Sequence, residues 1–335
     1  MDQRMIQKKP FFCLLLTLAA FLMTALFCPK AEADISAIER QALIELYNST
    51  SGDSWTNNSG WKNPPLDPDG FAQSGTEDTW NGITLNDDGT SVVGIDLYFN
   101  ELDGTLPSSL GNLSNLRWLM LYRNQLSGSI PASLGGLSDL EYLYLQTNEL
   151  TGSIPSELGN LDNLIILYLD ENNLSGSIPS TLGNLSNLEI LDIYANQLSG
   201  SIPPELGNLI NLTELHLDYN ALSGVIPSEL GNLSNLLELN LGVNALTGSI
   251  PSEFENLNSL ESLTLEENQL SGSIPPELGN LSNLFSLELY SNQLTGSIPP
   301  ELGNLNNLEE LRLENNRLTG SIPPELGNLT NLEAL

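Results

Sequence analysis

Residues 124–131 read Asn-Gln-Leu-Ser-Gly-Ser-Ile-Pro, and close copies of this stretch return through most of the 335-residue chain. Its first asparagine recurs every 24 residues without a slip, at Asn100, Asn124, Asn148, Asn172, Asn196, Asn220, Asn244, Asn268, Asn292 and Asn316. The frame around each one is L-x-L-x-x-N-x-L-x-G-x-I-P-x-x-L-G-N-L-x-N-L, with minor lapses. A fixed period of this length predicts a solenoid, in which each repeat packs only on its neighbours.

Each repeat predicts a short strand, such as Leu119-Met120-Leu121, that points its leucines inward and alternate residues outward. Stacked strands of this kind form a parallel sheet on one face. The recurring asparagine follows the strand, and its amide is suited to hydrogen-bond backbone groups that would otherwise be buried unpaired. The Ile-Pro and Leu-Gly-Asn-Leu segments predict an irregular return on the other face, because proline limits backbone pairing.

The repeats predict a solenoid over residues 92–335, with ten repeats and the start of an eleventh. No polar capping segment follows Leu335, although solenoids usually carry one for solubility. Three explanations stay open: a truncated gene or fragment, pairing of this edge with another chain, and fraying of the last turn. The second predicts self-association through the uncapped edge.

Residues 1–33 have the pattern of a secretory signal peptide. Arg4, Lys8 and Lys9 precede a mostly apolar run over 11–27, and Ala31-Glu32-Ala33 offers small residues for cleavage. An uncleaved membrane anchor and a lipoprotein at Cys28 are the weaker alternatives. The pattern predicts a secreted or cell-surface protein with no membrane span after cleavage. Both cysteines lie in this segment, so the mature chain is expected to have no disulfide and no cysteine metal site.

Residues 34–91 do not follow the repeat and are predicted to be an N-terminal capping domain. Ser36 and Glu39 form a capping box ahead of a short helix. A polar loop region follows, whose tryptophans are expected in the core. Residues 80–84 and 92–95 flank the turn signal Asn86-Asp87-Asp88-Gly89 and predict a hairpin.

The formal net charge of -32 narrows the possible partners. Nucleic-acid binding needs a basic stripe to neutralise phosphates, and the sequence has none. We therefore expect no nucleic-acid partner.

The frame Asn-x-Leu-Ser/Thr-Gly-x-Ile-Pro-x-x-Leu-Gly-Asn-Leu over residues 95–335 resembles the plant-specific class of leucine-rich repeats. Segments at 42–48, 52–55 and 80–84 resemble that family's N-terminal domain, although Leu85 stands where a cysteine is usual. The resemblance implies an α/β repeat solenoid: a right-handed superhelix with a parallel sheet on its concave face and irregular or 3-10 returns on its convex face. It also implies binding of peptides or proteins on the concave face. The missing cysteines favour an exported bacterial protein over a plant receptor or inhibitor.

Outward strand positions change from copy to copy, and aromatic residues gather in the first six repeats. The candidate ligand-binding residues there are Tyr98, Phe99, Trp118, Met120, Tyr122, Tyr142, Tyr144, Tyr168, Tyr194 and Tyr219. Exposed aromatic clusters are typical interface anchors. High β-propensity is the alternative explanation, but it predicts an even spread along the solenoid, and Tyr290 alone follows Tyr219.

Carboxylates run beside these aromatics, at Asp96, Asp170, Glu171, Asp192, Glu214, Asp218, Glu238, Glu266 and Glu288. Asp170, Asp192 and Asp218 are the candidates for selecting a cationic peptide or basic protein surface. Solubility is the alternative reason for so many acids. Asp67-Pro68-Asp69-Gly70 lacks the spacing of a calcium loop, so we expect no metal site and no cofactor.

Catalysis is the hypothesis from another class. His216 is the single histidine and projects from the same face near Asp192, Glu214 and Asp218. An open sheet offers no enclosed pocket to exclude water, so we expect no enzyme. The sequence therefore predicts an exported, non-catalytic recognition protein. A structural or adhesive surface protein is the alternative, and a glycan-processing enzyme is the remote one.

Overall fold

The computed structural model describes residues 34–333, so the predicted signal peptide lies outside the described residues. A single α-helix, Ala37–Ser49, opens the described chain with the predicted capping box. The Ser36 Oγ accepts from the Glu39 N–H at 3.1 Å, and the Glu39 carboxylate accepts from the Ser36 N–H at 3.1 Å. These two bonds satisfy donors that a helix start leaves free, which fixes where the helix begins.

The loop region after the helix is organised around aromatic rings. Two 3-10 helices, Gly52–Ser54 and Glu77–Thr79, interrupt it. The Trp61 ring lies 4.6 Å from the Trp80 ring and 5.2 Å from the Trp55 ring, centroid to centroid. All three tryptophans are buried, which confirms that they belong to the core.

The predicted hairpin is present. Strand Ile83–Leu85 pairs antiparallel with strand Val92–Asp96. The second strand is also the first strand of the repeat sheet, since it pairs in parallel with Trp118–Met120. The hairpin therefore continues one sheet from the N-terminal segment into the repeats.

Sheet A contains eleven strands, and all of its pairings after the hairpin are parallel. Its strands are Ile83–Leu85, Val92–Asp96, Trp118–Met120, Tyr142–Tyr144, Ile166–Tyr168, Ile190–Asp192, Glu214–His216, Glu238–Asn240, Ser262–Thr264, Ser286–Glu288 and Glu310–Arg312. The middle residue of each repeat strand, such as Leu119 or Leu143, is fully buried. The first and third residues face away from the core, as the alternation predicts.

A second sheet was not predicted. Sheet B has eight strands, Asp103–Thr105, Gln125–Ser129, Glu149–Gly152, Asn173–Gly176, Gln197–Gly200, Ala221–Val225, Ala245–Gly248 and Gln269–Leu270. This part of the return is more regular than the sequence indicated. Proline does limit pairing, but each strand of sheet B ends before the proline of its repeat, as at Ile130-Pro131. The return is irregular only after that point.

A row of 3-10 helices completes each repeat, as the resemblance implied. They are Ser108–Asn112, Ala132–Gly136, Ser156–Asn160, Ser180–Asn184, Pro204–Asn208, Ser228–Asn232, Ser252–Asn256, Pro276–Asn280, Pro300–Asn304 and Pro324–Asn328. The repeated glycine lets adjacent helices approach closely: a β-carbon on Gly207 would lie 2.3 Å from the Glu229 carbonyl oxygen.

The recurring asparagine joins neighbouring repeats, as predicted. Asn148 Nδ2 donates to the carbonyls of Leu145 at 3.1 Å and Leu121 at 3.0 Å, one in its own repeat and one in the repeat before. Its Oδ1 accepts from the Leu126 N–H at 3.0 Å. An apolar residue at this position would leave these buried backbone groups unpaired, which explains the strict recurrence.

Candidate functional site

The candidate site is the exposed face of sheet A, where each repeat contributes four side chains. We number these positions as rows. Row 1 is the first residue of the strand, row 2 the third, row 3 the second residue after the strand, and row 4 the next. In the longer strand Val92–Asp96, Gly94 and Asp96 are rows 1 and 2, because they pair with Trp118 and Met120. Trp118, Met120, Tyr122 and Arg123 occupy rows 1 to 4 in one repeat. Equivalent residues stand side by side because the strands pair in register.

Five tyrosines form a continuous chain of ring contacts, which we call the aromatic cluster. The Tyr98 and Tyr122 rings stack with centroids 4.9 Å apart and planes 8° from parallel. Tyr122 and Tyr142 each meet Tyr144 edge to face, at 6.3 and 6.4 Å. Tyr144 meets Tyr168 at 5.0 Å. The cluster crosses four repeats at the end of sheet A next to the N-terminal segment.

Trp118 and Met120 extend this surface. The indole of Trp118 covers Gly94, where a β-carbon would lie 2.0 Å from its Cε2 atom. Met120 is half-buried in row 2, between Asp96 and Tyr144 on the adjacent strands. Both side chains therefore continue the apolar surface across the first two repeat strands.

The remaining predicted aromatics lie at the edge of this surface or beyond it. Phe99 is 74% exposed in row 4, where the backbone is left-handed with φ of 47°. Tyr194 and Tyr219 form a separate pair with ring centroids 5.4 Å apart. Asp170 lies in the same repeat as Tyr168, and Asp192 lies in the next repeat with Tyr194, beside Tyr168 in row 2. Within residues 34–333, no ring contact joins Tyr168 to Tyr194, so the aromatic residues form two contact groups in adjacent repeats, flanked by these acids.

Burial favours the protonated hydroxyl at three tyrosines of the aromatic cluster, Tyr122, Tyr144 and Tyr168. It raises the pKa of Tyr168 to about 12, with the charge of Glu214 adding to the effect. Burial also raises the pKa values of Tyr122 and Tyr144. These rings are neutral at physiological pH, so they can donate a hydrogen bond and offer an apolar face to the same ligand.

Three carboxylates in row 3 are half-buried and poorly stabilised as anions. Burial raises the pKa of Asp170 to about 7, and the charge of Asp192 adds to it. Burial likewise raises the pKa of Asp218 to about 6 and that of Glu266 to about 7. Asp170 Oδ1 and Glu266 Oε2 are shielded from water and have no hydrogen-bond partner within the described chain.

His216 lies between two carboxylates from the neighbouring strands. Its Nδ1 is 3.3 Å from Asp192 Oδ2, and its Nε2 is 3.2 Å from Glu238 Oε2. Burial alone would lower the pKa of His216, but the bond to Asp192 and the charges of Asp192, Glu238 and Asp218 raise it to about 9. A protonated imidazole bound on both nitrogens is a counter-ion, which does not suit the general-base role considered from the sequence.

One member of this face was missed. Gln146 fills row 3 between Tyr122 and Asp170, and its Oε1 is buried without a partner in the described chain. Aligning the rows by the 24-residue period would have found it, because it occupies the row of Tyr122 and Asp170. Glu266, which the sequence did indicate, covers Gly242, where a β-carbon would lie 2.2 Å from Glu266 Oε1.

The acidic Asp67–Asp69 segment has a structural partner. The Arg40 guanidinium lies 3.0 Å from the Asp69 carboxylate and 3.6 Å from that of Asp67, and it also binds Glu77. These carboxylates neutralise a buried arginine, which is a role in folding the N-terminal segment. Within residues 34–333, no helix is both long and apolar enough to cross a membrane.

Comparison with known families matches residues 95–241 to the profile described as leucine-rich repeat region. Residues 235–257, 259–281, 283–305 and 307–329 match the one described as Leucine Rich Repeat. The chain belongs to the leucine-rich-repeat family. No curated protein sequence matches it.

Several solved structures resemble this leucine-rich-repeat protein. The plant peptide hormone receptor RGFR1, in complex with RGF2, is 47% identical over 69% of this chain and 37% of its own, with a TM-score of 0.69. The ectodomain of GASSHO1/SCHENGEN3 from Arabidopsis thaliana, in complex with CASPARIAN STRIP INTEGRITY FACTOR 2, is 39% identical over 87% of this chain and 34% of its own, with a TM-score of 0.78. A plant ice-binding protein is 26% identical over 90% of this chain and 95% of its own, with a TM-score of 0.70.

Proposed function

We propose that this protein is an exported, non-catalytic recognition protein that binds a peptide or protein on the exposed face of sheet A. The aromatic cluster, with Trp118, supplies the apolar anchors. Asp170, Asp192 and Asp218 favour positive charge in the ligand. The cell surface or the secreted fraction is the proposed location, as the signal-peptide pattern and the extracellular type of the similar ectodomains both suggest.

One observation supports this proposal above the others: Tyr98, Tyr122, Tyr144 and Tyr168 form an unbroken series of ring contacts over four adjacent repeats. Tyrosine rings give large contact area at low entropic cost, and those at interfaces combine an apolar face with a hydroxyl donor. Such a series on a sheet face that no other part of the described chain covers is the expected form of a binding surface.

The similar receptor ectodomains support a peptide or protein ligand, since one is a plant peptide hormone receptor in complex with RGF2 and the other is in complex with CASPARIAN STRIP INTEGRITY FACTOR 2. This chain spans only 37% and 34% of those receptor chains. The receptors' own assembly is therefore not part of the proposal, which concerns binding alone.

The test is affinity capture from extract of neighbouring or host cells. The purified protein and its Trp118→Ala/Tyr142→Ala/Tyr168→Ala variant serve as paired baits. Tyr290→Ala is the matched control, because Tyr290 is a row 3 aromatic on the same face that packs on Arg312, 4.1 Å from its ring centroid. A partner lost by the triple variant and kept by the control supports the proposal, provided both variants melt normally.

A structural or adhesive role is the outcome if all three baits retain the same proteins or none. That role predicts self-association, through an edge of the solenoid, which light scattering on the purified protein measures. A strictly monomeric protein with no captured partner would argue against both roles.

A second candidate function is ice binding. The plant ice-binding protein is matched over 95% of its own length, whereas the two receptors are matched over about a third of theirs. This chain also carries a row of exposed serines at or just beyond the position where the sheet B strands end. They are Ser129, Ser153, Ser177, Ser201, Ser249, Ser273, Ser297 and Ser321, interrupted by Val225. Repeated hydroxyls at the strand spacing of about 4.8 Å form a regular, hydrated array.

Thermal hysteresis of the purified protein tests this candidate directly. Ser177→Tyr/Ser201→Tyr would break the array without touching sheet A, and the aromatic triple variant is its control. Hysteresis that is lost only with the serine substitutions supports ice binding. If the wild-type protein shows none, this candidate is removed and the recognition proposal is unaffected.

A further inference from the structure

Row 3 contains an acidic residue at every second repeat. We call Asp170, Asp218 and Glu266 the acidic ladder; each is two repeats from the next, with Tyr194 and Gly242 between them. Neighbouring strands in a sheet lie about 4.8 Å apart, so consecutive ladder positions are about 9.6 Å apart. The ladder crosses the strands and therefore runs along the solenoid.

Asp170 and Glu266 have little internal compensation, whereas the charge of His216 partly offsets that of Asp218 and limits the rise that burial causes in its pKa. Asp170 Oδ1 and Glu266 Oε2 are shielded from water without a donor in the described chain, and leaving such oxygens unpaired destabilises the free protein. Asp170, Asp218 and Glu266 are each half-buried on this face. A cation that approaches from solvent would offset the charge of such a carboxylate.

Within residues 34–333, no lysine or arginine pairs with the ladder. The sequence has no lysine or arginine between Arg123 and Arg312, and His216 is already held by Asp192 and Glu238. Carboxylates near the two ends of the solenoid do have internal partners, since Arg117 lies 2.7 Å from Glu141 and Arg312 lies 2.7 Å from Glu314. The central carboxylates are the ones left for a ligand.

The spacing of the acidic ladder favours one backbone conformation in a ligand whose cations reach each ladder residue. A polyproline-II segment has three residues per turn and a rise of about 3.1 Å, so every third residue lies on one face about 9.3 Å apart. A β-strand places same-face residues about 6.6 or 13 Å apart, and neither matches. An α-helix places residues seven apart at about 10.5 Å, which loses register by almost 2 Å over the ladder.

The residue between the first two ladder positions fits the same ligand. Tyr194 lies in row 3 between Asp170 and Asp218, and its ring contacts Tyr219 with centroids 5.4 Å apart. Proline-rich segments in this conformation pack on aromatic rings. Prolines of the ligand would therefore lie over Tyr194 while its cations reach the ladder.

We propose that the face from Asp170 to Glu266 binds an extended polyproline-II segment of a peptide or protein that carries lysine or arginine at every third residue. This inference rests on the proposed recognition function and specifies the ligand's conformation and charge pattern. The aromatic cluster would hold the continuation of the same chain towards the N-terminal segment.

Isothermal titration calorimetry with synthetic peptides tests the spacing. The probe is a peptide of four Lys-Pro-Pro units; a composition-matched control has four lysines followed by eight prolines. A third peptide is an alanine-rich helix with lysines seven residues apart. We expect the periodic peptide to bind about tenfold more tightly than either control. Equal affinity for the periodic and permuted peptides overturns the proposal, and so does preference for the helix.

Matched variants show whether the ladder is responsible. Asp170→Asn/Asp218→Asn/Glu266→Gln removes three charges with little change of shape. Glu205→Gln/Glu229→Gln/Glu253→Gln removes the same charge from the row of 3-10 helices. We expect the first set to abolish the preference for the periodic peptide and the second set to keep it. Preference that survives the first set overturns the proposal.

The two proposals fail separately. If the natural partner is captured through the aromatic cluster but the periodic peptide shows no preference, the recognition function stands and the ladder proposal is wrong. If the periodic peptide binds as expected but no partner depends on the aromatic cluster, the anchors proposed above are wrong.

Discussion

The indole ring of Trp118 rests on the backbone of Gly94 in the neighbouring strand, so close that a β-carbon on Gly94 would lie 2.0 Å from Cε2 and 2.2 Å from Nε1. Because Gly94 has no side chain, this row 1 position leaves the space that the Trp118 ring fills. Trp118 is also the one tryptophan of four that is not buried in the core.

Gly94→Ala is expected to displace the Trp118 ring, because the new methyl group would occupy space that the ring now fills. Intrinsic fluorescence should shift to longer wavelength, and capture of a ligand that uses the aromatic cluster should weaken. Trp118→Phe is the control, since it removes the signal of this ring and leaves Trp55, Trp61 and Trp80 in the core. An unchanged emission spectrum in the Gly94 variant would contradict the packing of the Trp118 ring on Gly94.

Ligand binding should protect Trp118 from an aqueous quencher such as iodide. The other three tryptophans are at most 5% exposed, so quenching reports almost entirely on the binding face. The measurement is the quenching constant with and without the captured partner. A ligand that leaves quenching unaltered binds elsewhere on the molecule.

Gly135 and Gly136 are adjacent residues in one 3-10 helix and should respond very differently to alanine. A β-carbon on Gly135 would lie 2.2 Å from the Glu157 carbonyl oxygen of the next repeat, whereas one on Gly136 meets nothing within 4 Å. Overpacking of this kind costs about 1–3 kcal/mol. We expect Gly135→Ala to lower the free energy of unfolding by that amount and Gly136→Ala to change it by less than about 0.5 kcal/mol. Urea melts of the two variants make the comparison, and equal stability would show that the helices can move apart.

Asn172 and the adjacent Asn173 provide a second matched pair. Asn172 donates to the carbonyls of Leu145 and Leu169 at 3.0 and 3.1 Å, and its Oδ1 accepts from the Leu150 N–H at 3.0 Å. Asn173 is exposed, and its Oδ1 accepts a hydrogen bond from the Gln197 side chain on the surface. Asn172→Ala leaves buried backbone groups unpaired, at about 1–3 kcal/mol for each group. Asn173→Ala should leave stability nearly unchanged, and thermal melts of the two variants make the comparison. A similar loss of stability in both would argue against Asn172 as the residue that joins neighbouring repeats.

Much of this molecule follows from the repeat period. Because every residue of sheet A has its counterpart one repeat away, the leucine core, the asparagine bonds and the identity of the row residues could all be predicted. Sheet B could not, since Ser-Gly segments such as Ser127-Gly128 have low strand propensity and pair only because neighbouring repeats hold them in place.

The candidate face was harder to predict than the core. Its residues were correctly placed on one surface, but side-chain direction depends on what stands in the adjacent repeat. Glu266 lies down over Gly242 because that residue has no side chain, and His216 turns to Glu238 as well as to Asp192. These side-chain directions depend on packing between repeats, so they cannot be predicted from knowing only which residues face outward.

The stability of the fold should increase on acidification from pH 9 to about pH 5.5. Burial raises the pKa of Asp170 to about 7, of Asp218 to about 6 and of Glu266 to about 7. The folded state therefore takes up these protons before the unfolded state does, so stability falls as the pH rises through that range. His216 acts in the same direction: with its pKa raised to about 9, its stabilising contribution is present below its ordinary value of 6.5 and is lost as the pH rises through 9.

Thermal melts between pH 5.5 and 9 should then show a Tm that falls by a few degrees as the pH rises. Asp170→Asn/Glu266→Gln should flatten the curve between pH 5.5 and 8, and His216→Gln should flatten it between pH 7 and 9. The same titration opposes ligand binding, because protonation of the acidic ladder removes the charge that attracts a cation. The periodic peptide should therefore bind more weakly at pH 5.5 than at pH 8, although the protein that binds it is more stable. Affinity that rises on acidification would show that the acidic ladder does not attract the peptide, and a Tm that does not fall as the pH rises would show that these carboxylates do not govern stability.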